Sequence, residues 1–152
     1  MLRPATPDDL EAIEHLEEVC FHERRFRREH LSWILHHPGA FTLLDEERVL
    51  RGALMALVEP DAVRILSVAV APPFRRQGIG RELMEAGEAF GRARGSKLAR
   101  LEVGVTNTAA IALYRRLGYR ADGLLYAYYS WGEDAHQMTK ALIDVPAPVP
   151  RP

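Results

Sequence analysis

Apolar residues recur along this chain in two rhythms, every third or fourth position in some stretches and every second in others, and these rhythms divide it into helices and strands. After a short strand at Met1–Arg3, the run ATPDDLEAIEHLEEVCF begins a helix at about Pro7. Thr6 stands at the N-cap, Pro7 at the first helical position and two aspartates in the first turn, and the helix ends near Cys20. A second helix spans Arg27–His37 and stops at Pro38-Gly39. AFTLLDEERVLRGALMALVEP then reads as two strands about a charged turn at Asp45–Arg48, and Glu59-Pro60-Asp61 turns the chain into a third strand, Ala62–Val70. From Gly80 to Arg94, Leu83, Met84, Gly87 and Phe90 fall at helical spacing. The strand KLARLEVGV follows, then a helix at Thr108–Leu117 and two closing strands near Arg120–Tyr129 and Ala135–Leu142. The predicted order is β-α-α-β-β-β-α-β-α-β-β.

Composition narrows the class. With 152 residues, 47% of them hydrophobic, the chain supports one domain with a proper core, assigned to residues 1–143. The remaining nine, 144–152, end in VPAPVPRP, have nothing to bury and are expected to stay extended and disordered. Twenty basic residues against 21 acidic give a net charge of −1, so no global field draws the protein to nucleic acid or to an anionic membrane. The short basic run ERRFRREH at Glu23–His30 is read as a helix surface or groove rim. A single cysteine, Cys20, forms no internal disulfide, and MLRPATPDDLEAI lacks a charged-then-apolar leader, so a reducing cytoplasm is the expected compartment. No apolar run reaches membrane-spanning length. His22, His30, His36 and His37 lack the paired spacing of a metal site, and no metal is expected.

The most informative stretch is LSVAVAPPFRRQGIGREL, in which a strand runs through a basic, glycine-rich turn into a helix. A helix start leaves unpaired backbone N–H groups and carries partial positive charge, so anionic phosphates bind there. Gly78 and Gly80 allow close approach and dihedrals a Cβ would forbid, while Arg75, Arg76 and Arg81 surround the turn with charge and Gln77 lies within it. No G-x-x-x-x-G-K-[ST] occurs, and a dinucleotide G-x-G-x-x-G would need glycine where Leu83 stands.

The R-x-x-G-x-G of Arg75, Gly78 and Gly80 after the strand VAV resembles the acyl-CoA signature of the GNAT superfamily of N-acyltransferases. LEVGVTNTAAIALYRRLGY resembles the L-E-V-R-x-x-N-x-x-A-x-x-L-Y stretch of bacterial acetyltransferases acting on ribosomal-protein N-termini, and YAYYSWGEDAHQM resembles a segment of N-terminal protein acetyltransferases. The resemblance covers residues 1–142. It implies an α/β GNAT fold, a mixed sheet whose fourth and fifth strands run parallel and then splay. It further implies acetyl-CoA as cosubstrate and direct transfer to a primary amine, most similar to protein N-terminal amines.

Site residues follow, some from spacing and some from the likeness. Alternation puts Leu98, Arg100, Glu102 and Gly104 on one strand face, so Glu102 is a carboxylate in a covered strand that borders a wet cleft or pairs with Arg100 or Arg120. The resemblance makes Glu102 the proposed base and points the Tyr114 hydroxyl at the thioester sulfur. Asn107 is an N-cap on spacing and lies near the pantetheine by resemblance. The resemblance also implies an oxyanion donor from the backbone at Val68–Val70, freed by a bulge. Tyr128, Tyr129 and Trp131 would wall an acceptor groove, with Glu133 and Asp134 near a hairpin mouth. Gly104 stands where the resembled group has arginine. Cys20 lies outside the motif region, so an acyl-cysteine intermediate has little support. A small-molecule amine acetyltransferase and a non-catalytic acyl-CoA-binding module stay open as alternatives, with nucleic-acid binding through ERRFRREH a weaker third, and a homodimer stays open too.

Overall fold

The computed structural model describes residues 1–143, so the 144–152 tail lies outside the described residues. Its β3, Val49–Val58, is buried without interruption from Gly52 to Ala56, which an isolated amphipathic strand would not be. The reason is that helices cover both faces of the sheet. On one face, α3 (Ile79–Ala93) brings Ile79, Leu83 and Met84 onto Leu54 and Ala56, onto Val63 and Ile65 of β4 (Ala62–Val70), and onto Leu101 of β5 (Leu98–Gly104). On the other, α1 (Leu10–Phe21) and α2 (Arg28–His36) bring Ile13, Leu16, Leu31 and Ile34 onto Ala53, Met55 and Ala69, and onto Leu44 of β2 (Ala40–Glu47). Alternate residues of one strand thus serve two cores.

With β1 (Leu2–Pro4), α4 (Thr108–Arg116), β6 (Arg120–Leu125) and β7 (Ala135–Ala141), the element order is the predicted one, and the sheet order is β1-β2-β3-β4-β5-β7-β6. Among the described residues only β4 and β5 pair in parallel, and their ladder holds for four pairs, Ala62↔Leu98 to Ile65↔Leu101, before the strands part. Two features separate them. β5 pairs with β7 along its whole length, and β4 has a bulge where Met55 opposes Ser67 and Ala56 opposes Ile65, leaving Leu66 unmatched.

Among the differences from the sequence reading, three concern boundaries and one a bulge. Pro7–Asp9 forms a 3-10 turn rather than α-helix, closed by the Asp9 carboxylate accepting the Thr6 N–H at 2.8 Å. The helix after the glycine-rich turn begins at Ile79 rather than Gly80. β6 ends at Leu125, not Tyr129, because the Asp134 carboxylate takes the Ala127 N–H at 2.7 Å and Ala127 turns the chain at φ +46°. The bulge in β4 lies at Leu66 and not at Val68–Val70, where the ladder to β3 stays in register.

Candidate active site

Where β4 and β5 part, a cleft of about 1630 Å³ passes from one face of the sheet to the other. One mouth is the glycine-rich turn. Gly78, at φ +81°, is the N-cap of α3, and a Cβ built there would have nothing within 4 Å, so its glycine is required by backbone conformation alone. Gly80 is ordinary helix in which a Cβ would make only normal contacts with Val70 and Leu113; the expectation that both glycines escape forbidden dihedrals holds for Gly78 only. Arg76 shares the left-handed conformation at φ +65°. The first bond of the helix is Glu82 N–H to Gly78 C=O at 3.0 Å, which leaves the Ile79, Gly80 and Arg81 amides without a helical partner. Arg75, Arg76 and Arg81 line this mouth, Arg75 held by its Nε donating to Val70 C=O at 2.9 Å. Gln77 is exposed and does not line it. The donor set of free amides and guanidinium groups around an open cradle fits a diphosphate.

Along the cleft wall, Ala71 donates to Arg51 C=O at 2.8 Å. In an antiparallel ladder that bond sets the alternation, so the Val68 and Val70 amides point away from β3, to the side that β5 has left. They are therefore unpaired by register, with no bulge needed at their own positions.

Opposite them, α4 carries Tyr114. Asn107 caps this helix, its Oδ1 accepting the Ala110 N–H at 3.3 Å, and also lines the cleft. The Tyr114 ring packs edge-on to Tyr119 at 6.0 Å, and its hydroxyl has no hydrogen-bond partner among the described residues. Burial pushes the phenol up to about 12, so it stays protonated across the neutral range. Glu102 is in the cleft, and its cation is neither Arg100, which pairs with Glu59 at 2.6 Å, nor Arg120. Arg64 of β4 donates to Glu102 Oε2 at 3.2 Å and to the Tyr128 hydroxyl at 2.9 Å, which its register opposite Arg100 permits across the parallel pair. Glu102 Oε1 has no hydrogen-bond partner among the described residues.

The second mouth is walled by aromatics. Tyr129 and Trp131 stack at 4.6 Å and 8°, and Tyr128 meets Tyr129 edge-on. Their loop is fastened by Glu133, which accepts from the Trp131 indole N–H at 2.9 Å, from the Thr106 amide at 3.0 Å and from the Thr106 hydroxyl. These bonds, Thr106 first, hold the Glu133 carboxyl below its usual range. A Cβ at residue 104 would come within 2.8 Å of the Glu133 carboxyl carbon, so Gly104 is what admits this carboxylate. Arg24, before α2, reaches across to it at 3.5 Å and lies over the Trp131 ring at 4.8 Å.

The structure brings Glu102, Tyr114, Asn107, Val68, Val70, Arg75, Arg76, Gly78, Gly80 and Arg81 to one cleft. Cys20 lies there too, contrary to its expected remoteness, with Sγ 3.4 Å from Val70 C=O; burial raises its thiol, which keeps the reactive thiolate scarce. Sequence reasoning missed Arg64, for which spacing gave no signal. It also missed Glu17, which spacing did signal, as a carboxylate one turn beyond Ile13 on the apolar face of α1.

Residues 8–119 match the acetyltransferase (GNAT) family. The chain is 33% identical to an N-alpha-acetyltransferase of Sulfolobus acidocaldarius, over 93% of this chain and 92% of that one. It is 31% identical to the catalytic subunit of an N-terminal acetyltransferase A complex from Arabidopsis thaliana, over 93% and 77%. The crystal structure of the ribosomal-protein-S18-alanine N-acetyltransferase from Escherichia coli superposes with a TM-score of 0.86 at 25% identity, covering 99% of each chain.

Proposed function

Since this chain belongs to the GNAT family of acetyltransferases, we propose that it moves the acetyl group of acetyl-CoA directly onto the N-terminal α-amine of a polypeptide. It is an N-acetyltransferase. The observation that carries the finer reading is the through-cleft: a phosphate-binding turn at one mouth, an aromatic wall at the other, and Glu102 and Tyr114 between them. The free amides of residues 79–81, with Arg75, Arg76 and Arg81, hold the diphosphate.

Glu102 Oε1 takes a proton from the acceptor ammonium, directly or through water, and the neutral amine attacks the acetyl carbonyl carbon. The outward Val68 and Val70 amides receive the developing oxyanion. As the C–S bond breaks, Tyr114 donates a hydrogen bond to the departing sulfur, and the nitrogen's surplus proton passes to the thiolate or to water as the amide forms. A phenol at about 12 is a weaker acid than a thiol of about 8.5, so it contributes a hydrogen bond to the thiolate rather than a completed proton transfer. An α-amine, with a pKa of about 8 against about 10.4 for lysine, is the acceptor that a weak carboxylate base serves best at neutral pH.

Short peptides with a free N-terminal alanine or serine are expected to be acetylated faster than the same peptides N-blocked but carrying an internal lysine, with mass spectrometry locating the acetyl group. Preferential lysine modification, or turnover only with small-molecule amines, would overturn the N-terminal reading.

A further inference from the structure

Glu17 projects from the apolar face of α1 and is only 2% exposed. Its Oε1 meets the Ser67 hydroxyl at 3.5 Å, a long contact, and its Oε2 has no hydrogen-bond partner among the described residues. An unmet carboxylate oxygen in the interior is costly, and packing alone favours an apolar residue between Ile13 and Cys20. Both Glu17 and Ser67 line the cleft on the α1–α2 face of the sheet, beside Phe21 and Phe26 and across the sheet from α3. This is the acceptor side.

We propose that Glu17 and Ser67 form the polar floor of the pocket for the acceptor's first side chain, and that Glu17 Oε2 accepts a hydrogen bond from a hydroxyl there. N-terminal serine is thereby selected over alanine. The inference rests on the N-terminal reading above and names the first residue that site takes. Phe21 and Phe26 limit the pocket to a small side chain, and Arg24 and Arg25, which line the same side, oppose a cationic one. A floor built to bond a hydroxyl rejects the analogue lacking it, because its buried oxygen is then left unpaired. The groups facing Glu17 are the Ser67 hydroxyl from β4, the Phe26 backbone N–H ahead of α2, and Cys20 one turn along α1. Burial outweighs the first two and places the carboxyl at about 7, so across the neutral range it passes from a mixed donor and acceptor to an acceptor at both oxygens.

The test compares kcat/KM for two peptides differing only in serine or alanine at the first position, at pH 6 and pH 8, in wild type, Glu17→Leu and Glu17→Gln. Wild type should prefer serine by roughly tenfold or more, with the ratio rising from pH 6 to pH 8. Glu17→Leu should bring the ratio near one, and Glu17→Gln should hold an intermediate ratio that does not change with pH. A wild-type ratio near one, or a ratio unchanged in Glu17→Leu, would overturn the proposal while leaving N-terminal transfer standing. Should Glu17→Leu not fold, the same pH course in Glu17→Gln as in wild type would overturn it. Absence of α-amine acetylation on both peptides would remove this proposal together with its premise.

Discussion

Two carboxylates are equally hidden, each 2% exposed, on opposite faces of one sheet, and their surroundings differ completely. Glu88 of α3 has both oxygens engaged, one by the Tyr119 hydroxyl and the other by Lys140 Nζ, each at 2.8 Å. Glu17 of α1 has one long contact, to the Ser67 hydroxyl, faces the Phe26 backbone N–H, and has an Oε2 with no hydrogen-bond partner among the described residues. The Glu88 cluster lies against a continuous part of the sheet, where a half-satisfied ion would only destabilise. Glu17 lies where β4 has left β5, in the lining of the cleft that the proposed acceptor would enter. Glu88 is fully satisfied within the fold, and Glu17, in the lining of the cleft, is not.

The sharpest way to break that contrast is Glu88→Ala. It strips the buried Tyr119 and the half-buried Lys140 of their partner and should lower stability by about 3–5 kcal/mol, read as a fall in denaturation midpoint. A loss no larger than that of Glu17→Ala would mean the two sites do not differ in kind. On the cleft itself, Tyr114→Phe should reduce kcat by about ten- to a thousandfold with little change in KM, since in the proposed mechanism the hydroxyl acts mainly in the transition state, and it makes no hydrogen bond among the described residues. Loss of folding instead of rate would place Tyr114 with the structural groups.

The smallest effect is pH-dependent. Burial raises the Glu17 carboxyl from 4.5 to about 7, so the folded state keeps a proton that the unfolded chain has released. The stability this group contributes is fully present below about 4.5 and is lost as pH rises through about 7, at most about 3 kcal/mol. Denaturation midpoints of wild type should therefore fall from pH 5 to pH 8 more steeply than those of Glu17→Gln. Parallel curves would mean that Glu17 is solvated and resembles neither half of the comparison.

The element order was legible because each helix and strand carried its own signal: the cap at Thr6, the left-handed turn at Gly78, the alternation through Leu98–Gly104. The motif residues Glu102, Tyr114, Asn107 and the arginines after Val70 converge on one cleft for the same reason, since each is fixed by the element that bears it. What eluded the sequence was set between elements. Arg64 reaches Glu102 only because β4 and β5 are parallel at Arg64↔Arg100, a register no local pattern encodes. The bulge fell at Leu66 because it is where β3 and β4 lose step. Gly104 read as a missing arginine until Glu133, 29 positions on, was found filling the space above it.

The most direct measurement is a crystal structure with a bisubstrate analogue joining CoA to the α-amine of a serine-led peptide. It should show the diphosphate on the amides of residues 79–81, the sulfur within hydrogen-bond reach of the Tyr114 hydroxyl, and the peptide leaving between Tyr128 and Trp131 with its first side chain toward Ser67. A peptide lying outside the gap between β4 and β5, or a sulfur far from Tyr114, would contradict the assignment of this cleft as an N-terminal acetyltransferase site.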